Sequence, residues 1–338
     1  MDEKEIYIHI GMPKTGTTFL QQEVFEELTD VKYFLHHTDN PIMNFIHELI
    51  YTNTYLIDIL DERKRSIDNY LCTIKEKKVL ISVEGLIGDS FNNYYPLKNI
   101  AEALKHVFPK SKIIFTIRKQ DDLLESAYLY SLYEGHYKTV SQFLNYKKGT
   151  FESFKLLREY GVNVDIHSLN YLKMVYVYEV LFSKESICLL PYELMKSNQR
   201  IFIEKICNFI GVKVVYPSTK KYSNKSFSLL SAKIAFLLNR FRANGLNSLP
   251  LIPEQPFLDF FNKKYTENNF IAYRILRSIS YRISLTYFLQ NILDKIFYIK
   301  YKPFSKNLKK EILEKHYMDN NKLSLRYELD LKDYGYFI

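Results

Sequence analysis

Features that mark several protein classes are missing from this chain. Of its 338 residues only three are cysteine, Cys72, Cys188 and Cys207. An odd, scattered set supports neither a disulfide framework nor a metal-ligand cluster, so buried thiols in a reducing compartment are expected. No apolar run approaches the roughly 20 residues that a membrane-spanning helix needs. The acidic opening Met-Asp-Glu-Lys-Glu is unlike the cationic start of a secretion signal, and a cytoplasmic location is expected. At 47% hydrophobic and 25% charged, the chain can bury a large core, as one α/β domain or a domain with an extension.

Charge is unevenly spread. The net charge is +9, yet residues 200–338 hold 24 Lys and Arg against 11 Asp and Glu, which leaves the first 199 residues acidic. The basic half is expected to attract an anionic partner, whether a donor, an acidic acceptor or a lipid surface.

Residues 6–21 carry the strongest local pattern. Ile6, Ile8 and Ile10 alternate as in a strand, Gly11 breaks the run, and Phe19, Leu20 and Val24 take up helical spacing over a helix expected at 17–28. A strand, tight loop and helix start in this order form an anion cradle. Backbone N–H groups from Gly11 to Thr18, among them those of Thr15 and Gly16, face one concavity, and Lys14, Thr17 and Thr18 add side-chain donors. In a nucleotide-hydrolysing P-loop the lysine follows the second glycine and the next hydroxyl holds magnesium. Here Gly11 and Gly16 keep the glycine spacing, but the lysine is Lys14, inside the loop, and Thr17 stands where that lysine would be.

This G-x-P-K-x-G-T-T arrangement resembles the 5'-phosphosulfate loop of the sulfotransferases, which use 3'-phosphoadenosine 5'-phosphosulfate (PAPS) as donor and release the bisphosphate PAP. The resemblance implies a P-loop NTPase-like α/β fold, a parallel β-sheet flanked by helices, with a helical C-terminal extension. It places an α/β core with the PAPS site at 1–226 and a basic, mainly helical extension at 227–338. Further matches follow along the chain. The apolar run Lys78–Glu84 reads as a buried parallel strand whose carboxyl end opens onto the ligand crevice. Similar bacterial carbohydrate-type enzymes use a glutamate in such a context as base, which assigns that role to Glu84; His136, after the helix that carries Ser126, is a separate second candidate base. The strand Lys112–Ile117 runs into Arg118, and Ser126 follows eight residues later on a helix expected at 121–134. In the family this pair grips the 3'-phosphate, a task the guanidinium fork suits. Asn224, Lys225 and Ser226 match an Asn-x-Ser that closes over the donor nucleotide, with a solvated loop as the other reading.

Elsewhere the pattern is plainer. Helices are expected at 41–50, 53–74, 86–92, 150–160, 170–182, 200–210, 227–243, 268–298 and 307–317, and strands at 162–166 and 186–190. His36 and His37 are candidates for contact with an acceptor, and Tyr130, Tyr133 and Tyr137 offer rings that suit a sugar. The chain lacks the R-K-G loop of cytosolic small-molecule sulfotransferases and a histidine in their catalytic position. Both departures favour a glycan or glycolipid hydroxyl over a phenol. No metal is implied, and no nucleic acid. The competing readings are a magnesium-dependent P-loop kinase-like phosphotransferase, and a non-enzymatic basic module that binds nucleic acid or an anionic membrane surface through residues 220–310.

Overall fold

The computed structural model describes residues 4–35, 39–51, 57–88, 91, 93–153, 164–217, 226–242, 251–252 and 284–337. Two compact units emerge, one of Met1–Leu123, Ile166–Ser223 and Lys309–Ile338, the other of Leu124–Asp165 and Asn224–Leu308. Among the described residues no helix is long and apolar enough to cross a membrane.

The first unit is built on a five-stranded parallel sheet. Strands β1 (Glu5–His9), β2 (Val31–Leu35), β3 (Lys78–Ser82), β4 (Lys112–Ile117) and, after the short hairpin β5 (Tyr146–Lys147) and β6 (Thr150–Phe151) of the second unit, β7 (Ile187–Pro191) line up as β2-β3-β1-β4-β7. Ile8 sits in register with Ile81 on one side and Ile113 on the other. From β1 the chain jumps to the edge at β2, returns to β3 beside β1, and then crosses β1 to β4 and β7 on the other side, so connections leave the central strand in opposite directions. A ligand crevice is expected at the carboxyl end of the strands at such a point.

Helices cover both faces, as an all-parallel sheet requires. On one face, Tyr7, Leu80, Ile114 and Leu190 pack against Leu20, Val24 and Phe25 and against Phe202, Ile203, Ile206 and Ile210 of helix α9 (Gln199–Ile210). Leu20, Val24 and Phe25 belong to a continuous helical run that starts as α1 (Thr17–Phe19), widens to a π turn (Leu20–Val24) and tightens to a 3-10 turn (Phe25–Glu27). On the other face lie α4 (Leu97–Val107) and α7 (Tyr171–Phe182), with Tyr178 edge-on to Phe115 of β4. The remaining helices of this unit are α2 (Pro41–Tyr51), α3 (Ile57–Thr73), α8 (Tyr192–Ser197) and a C-terminal helix, Lys306–Tyr327, that begins in the second unit.

Several expectations need correction. Residues 84–87 form turns rather than the start of a helix at 86–92, because Gly85 and Gly88 both take positive φ there. The strand expected at 162–166 is absent where it is described, since Ile166–Ser168 is a 3-10 turn. Strand β2 and helix α4 were not anticipated. The helix at 150–160 lies largely outside the described residues, as do His36, His37, Asn224, Lys225 and most of 268–298; Thr150 and Phe151 form β6.

In the second unit, α5 (Gln120–Tyr133) enters from the first, and α6 (Val140–Phe143) and α10 (Leu229–Leu238) follow. Tyr128 packs on Phe143 and Phe304, and Asn239 donates to the carbonyls of Leu132 and His136.

Candidate active site

The loop 10–18 leaves β1 at the carboxyl edge of the sheet. Three of its residues, Gly11, Lys14 and Gly16, have φ of 55°, 66° and 85°. A lysine in that left-handed region costs on the order of 1–3 kcal/mol and persists only where its surroundings hold it. Thr15 supplies much of that hold. It is fully buried, donates to the Met12 carbonyl at 2.6 Å and meets the Thr116 hydroxyl of β4 at 2.7 Å. The Thr15 hydroxyl is therefore occupied in shaping the loop, and only its backbone N–H faces the role expected of it. The two glycines permit close approach. A Cβ on Gly11 would lie 2.7 Å from the Val83 carbonyl oxygen, and one on Gly16 would lie 2.6 Å from Cε of Met195 on α8.

Gly11 thus lets the turn after β3 press on the loop, and that contact delivers Glu84. The Thr17 hydroxyl donates to Oε1 of Glu84, at the point where α1 presents N–H groups with no intrahelical acceptor. Glu84 is exposed as a residue, but the protein around its carboxyl raises its pKa by desolvation, against which the Lys14 charge pulls it down. Thr18 is half-buried beside Thr17.

Arg118 approaches from β4. Its guanidinium donates to the Lys14 carbonyl at 2.8 Å and lies over the Tyr192 ring, 5.1 Å from the centroid. Its Nε is buried and has no hydrogen-bond partner among the described residues. An anion bearing several acceptor oxygens would satisfy that atom, so the cluster fits a phosphate group. Lys14, Thr17, Glu84 and Arg118 are joined by these contacts. Ser126 is half-buried on α5, and Ser226 is exposed ahead of α10; both belong to the second unit, as does His136. Burial, with the charges of Lys138 and Arg242, holds the His136 pKa below its usual value.

A supporting shell lies behind Arg118. Glu193 of α8 accepts from the Lys119 backbone N–H at 3.1 Å and from the Tyr336 hydroxyl at 2.7 Å, and Tyr171 donates to the Arg118 carbonyl. Asn320 exchanges two hydrogen bonds with Gln120, at 2.7 and 3.0 Å, and donates to the Tyr336 carbonyl at 3.0 Å. In the sequence, Tyr192 and Glu193 merely follow the strand at 186–190, and nothing there ties Tyr336 or Asn320 to Arg118. Among the described residues, no three His, Cys, Asp or Glu side chains cluster as a metal site.

A parallel α/β sheet whose central strand ends in a strained, cation-bearing loop, with an arginine from the next strand clamped onto that loop, has the arrangement of a domain that can cradle an anion. The chain belongs to the sulfotransferase domain family, whose model matches residues 5–234. Sulfuryl transfer is accordingly its chemistry in general terms, and PAPS is the donor the family uses. Among solved structures, a sulfotransferase from Alicyclobacillus acidocaldarius is 16% identical, with a TM-score of 0.42 over 71% of this chain and 93% of that one. The mouse sulfotransferase SULT7A1, solved with PAP, is also 16% identical, with a TM-score of 0.29 over 64% of this chain and 61% of that one. No curated protein sequence matches significantly.

Proposed function

We propose that this sulfotransferase moves the sulfuryl group of PAPS to a hydroxyl of a carbohydrate or cell-envelope glycan, with Glu84 as general base. The observation that carries this reading is the junction of Glu84 with Thr17 beside Lys14, which sets a carboxylate against the cation-bearing loop. Lys14 and the N–H groups of Gly16 to Thr18 would compensate charge growing on the leaving 5'-phosphate oxygen. Arg118, with Ser126, would hold the 3'-phosphate that separates this donor from ATP, and Asn224 and Ser226 would close over the nucleotide. As the sulfur–oxygen bond to the acceptor forms and the one to phosphate breaks, the hydroxyl proton passes to the Glu84 carboxylate.

Support for a glycan comes from the missing phenol-enzyme signatures and from the stacked rings of Tyr130 and Tyr133, 5.9 Å apart, of which Tyr130 is exposed. Three unbridged cysteines suit the cytoplasm. Incubation with sulfur-labelled PAPS and a panel of glycans, glycolipids and phenols tests the reading. Label should reach a glycan hydroxyl, and Glu84→Gln should abolish transfer while His136→Ala preserves it. Transfer to phenols alone would overturn the acceptor, and the reverse mutant pattern would overturn the base.

A further inference from the structure

We propose that the second unit docks on an anionic lipid surface through the stretch 288–302 and the adjoining α10. This inference stands apart from the choice of acceptor and base. It starts from a buried polar latch. The Asp294 carboxylate accepts from the Ser228 backbone N–H at 3.2 Å and from the Ser231 hydroxyl at 2.5 Å. Ser231 also reaches the Leu289 carbonyl, and Leu229 N–H donates to the Ile299 carbonyl at 2.8 Å. Leu289 and Asp294 of the helical stretch Leu285–Ile296, with Ser231, Ala232 and Ala235 of α10, form the inner faces.

With that face committed, the outer one cannot turn inward. Phe288, Ile292 and Ile296 recur every fourth residue along a segment containing a π turn, whose wide repeat keeps them near one side. Together with Phe297, Tyr298 and Ile299 they are each 45–65% exposed. Soluble surfaces scatter single apolar residues; six large ones within twelve positions mark a docking surface.

Charge selects the occupant. In 226–242 and 284–308, Asp294 is the only acidic residue and it is buried, whereas Lys233, Lys295, Lys300 and Lys302 are exposed. Lysine is depleted from the cores of protein interfaces. Apolar and aromatic side chains bordered by lysine, with no exposed acidic residue in 226–242 or 284–308, fit the headgroup region of an anionic leaflet, where insertion and attraction act together.

Flotation of the full chain with vesicles tests this. Binding is expected to phosphatidylcholine vesicles in which about a third of the lipid is phosphatidylglycerol, not to phosphatidylcholine alone, and to weaken sharply in high salt. Replacing Lys295, Lys300 and Lys302 by Gln should lower affinity on the order of fivefold per lysine. Ile292→Ser, Ile296→Ser and Phe297→Ser should each lower it about tenfold. Equal melting temperatures establish folding, and should the serine variants fail to fold, the exposed glutamine variants still decide. Absence of binding, binding indifferent to lipid charge, or a dimer in sedimentation that the serine variants dissolve would overturn the proposal.

Discussion

The loop 10–18 and the stretch 288–302 handle polarity in opposite ways. The loop's Thr15, Thr17 and Lys14 are each tied to a partner far away in sequence, Thr15 to Thr116, Thr17 to Glu84 and the Lys14 carbonyl to Arg118. In the stretch, one polar latch is buried and the large apolar side chains face outward. The contrast teaches that the proposed chemistry falls where charge is restrained, and the proposed docking where large apolar side chains are exposed.

The sharpest way to break the comparison is Glu84→Gln. If this carboxylate is the base, kcat should fall about 10²- to 10⁴-fold while the affinity for PAP changes little. Desolvation raises the Glu84 pKa, so the acid limb of the rate profile should lie above the ordinary glutamate range. The stability effect has a definite sign. A raised carboxylate pKa favours the protonated form in the folded state, so this contribution is complete at low pH and is lost as pH rises through the folded value. Glu84→Gln should therefore gain in melting temperature over wild type on going from acid to neutral pH.

Lys14→Ala comes next, with an expected loss in kcat of about 10²- to 10³-fold, the scale of removing one donor from a developing oxyanion. Arg118→Met should weaken PAP binding about 10- to 100-fold, read by calorimetry, because a charge-assisted contact to phosphate is worth roughly 1.5–3 kcal/mol. Gly11→Ala probes the restraint itself. With φ of 55° and the Val83 oxygen 2.7 Å from the new methyl group, about 1–3 kcal/mol of stability should be lost in denaturant unfolding. The smallest effect belongs to the other region. Ile296→Ser should shift stability by no more than about 0.5 kcal/mol, as for an exposed side chain.

How much of this could be read from residues alone follows from the range of the interactions. Strands β3, β4 and β7 are short, mainly apolar runs and β1 alternates isoleucine with other residues, and all four appear within a residue or two of where they were expected. β2 was hidden because this five-residue edge strand, Val-Lys-Tyr-Phe-Leu, is interrupted by an exposed lysine and runs straight into polar residues, so neither strict alternation nor a clean apolar run marks it. α4 does carry a local signal, since Leu97, Ile100, Ala101 and Leu104 follow Pro96 at helical spacing. In the site, Lys14, Thr17 and Arg118 stood out because loop spacing and a strand end are local signals. The hydrogen bonds of Asn320 with Gln120 and of Tyr336 with Glu193 span 200 and 143 residues, beyond any periodicity. Thr15 shows the opposite limit, since its place in the motif did not reveal that its hydroxyl turns inward to Thr116.

The most direct measurement is calorimetric titration of the full chain with PAP and with ATP, each with and without magnesium. Lys14 inside the loop and Arg118 at its rim predict that PAP binds more tightly than ATP, that magnesium leaves this order unchanged, and that Arg118→Met removes the preference. Tighter binding of magnesium-ATP, or a preference for PAP that survives Arg118→Met undiminished, would contradict the account.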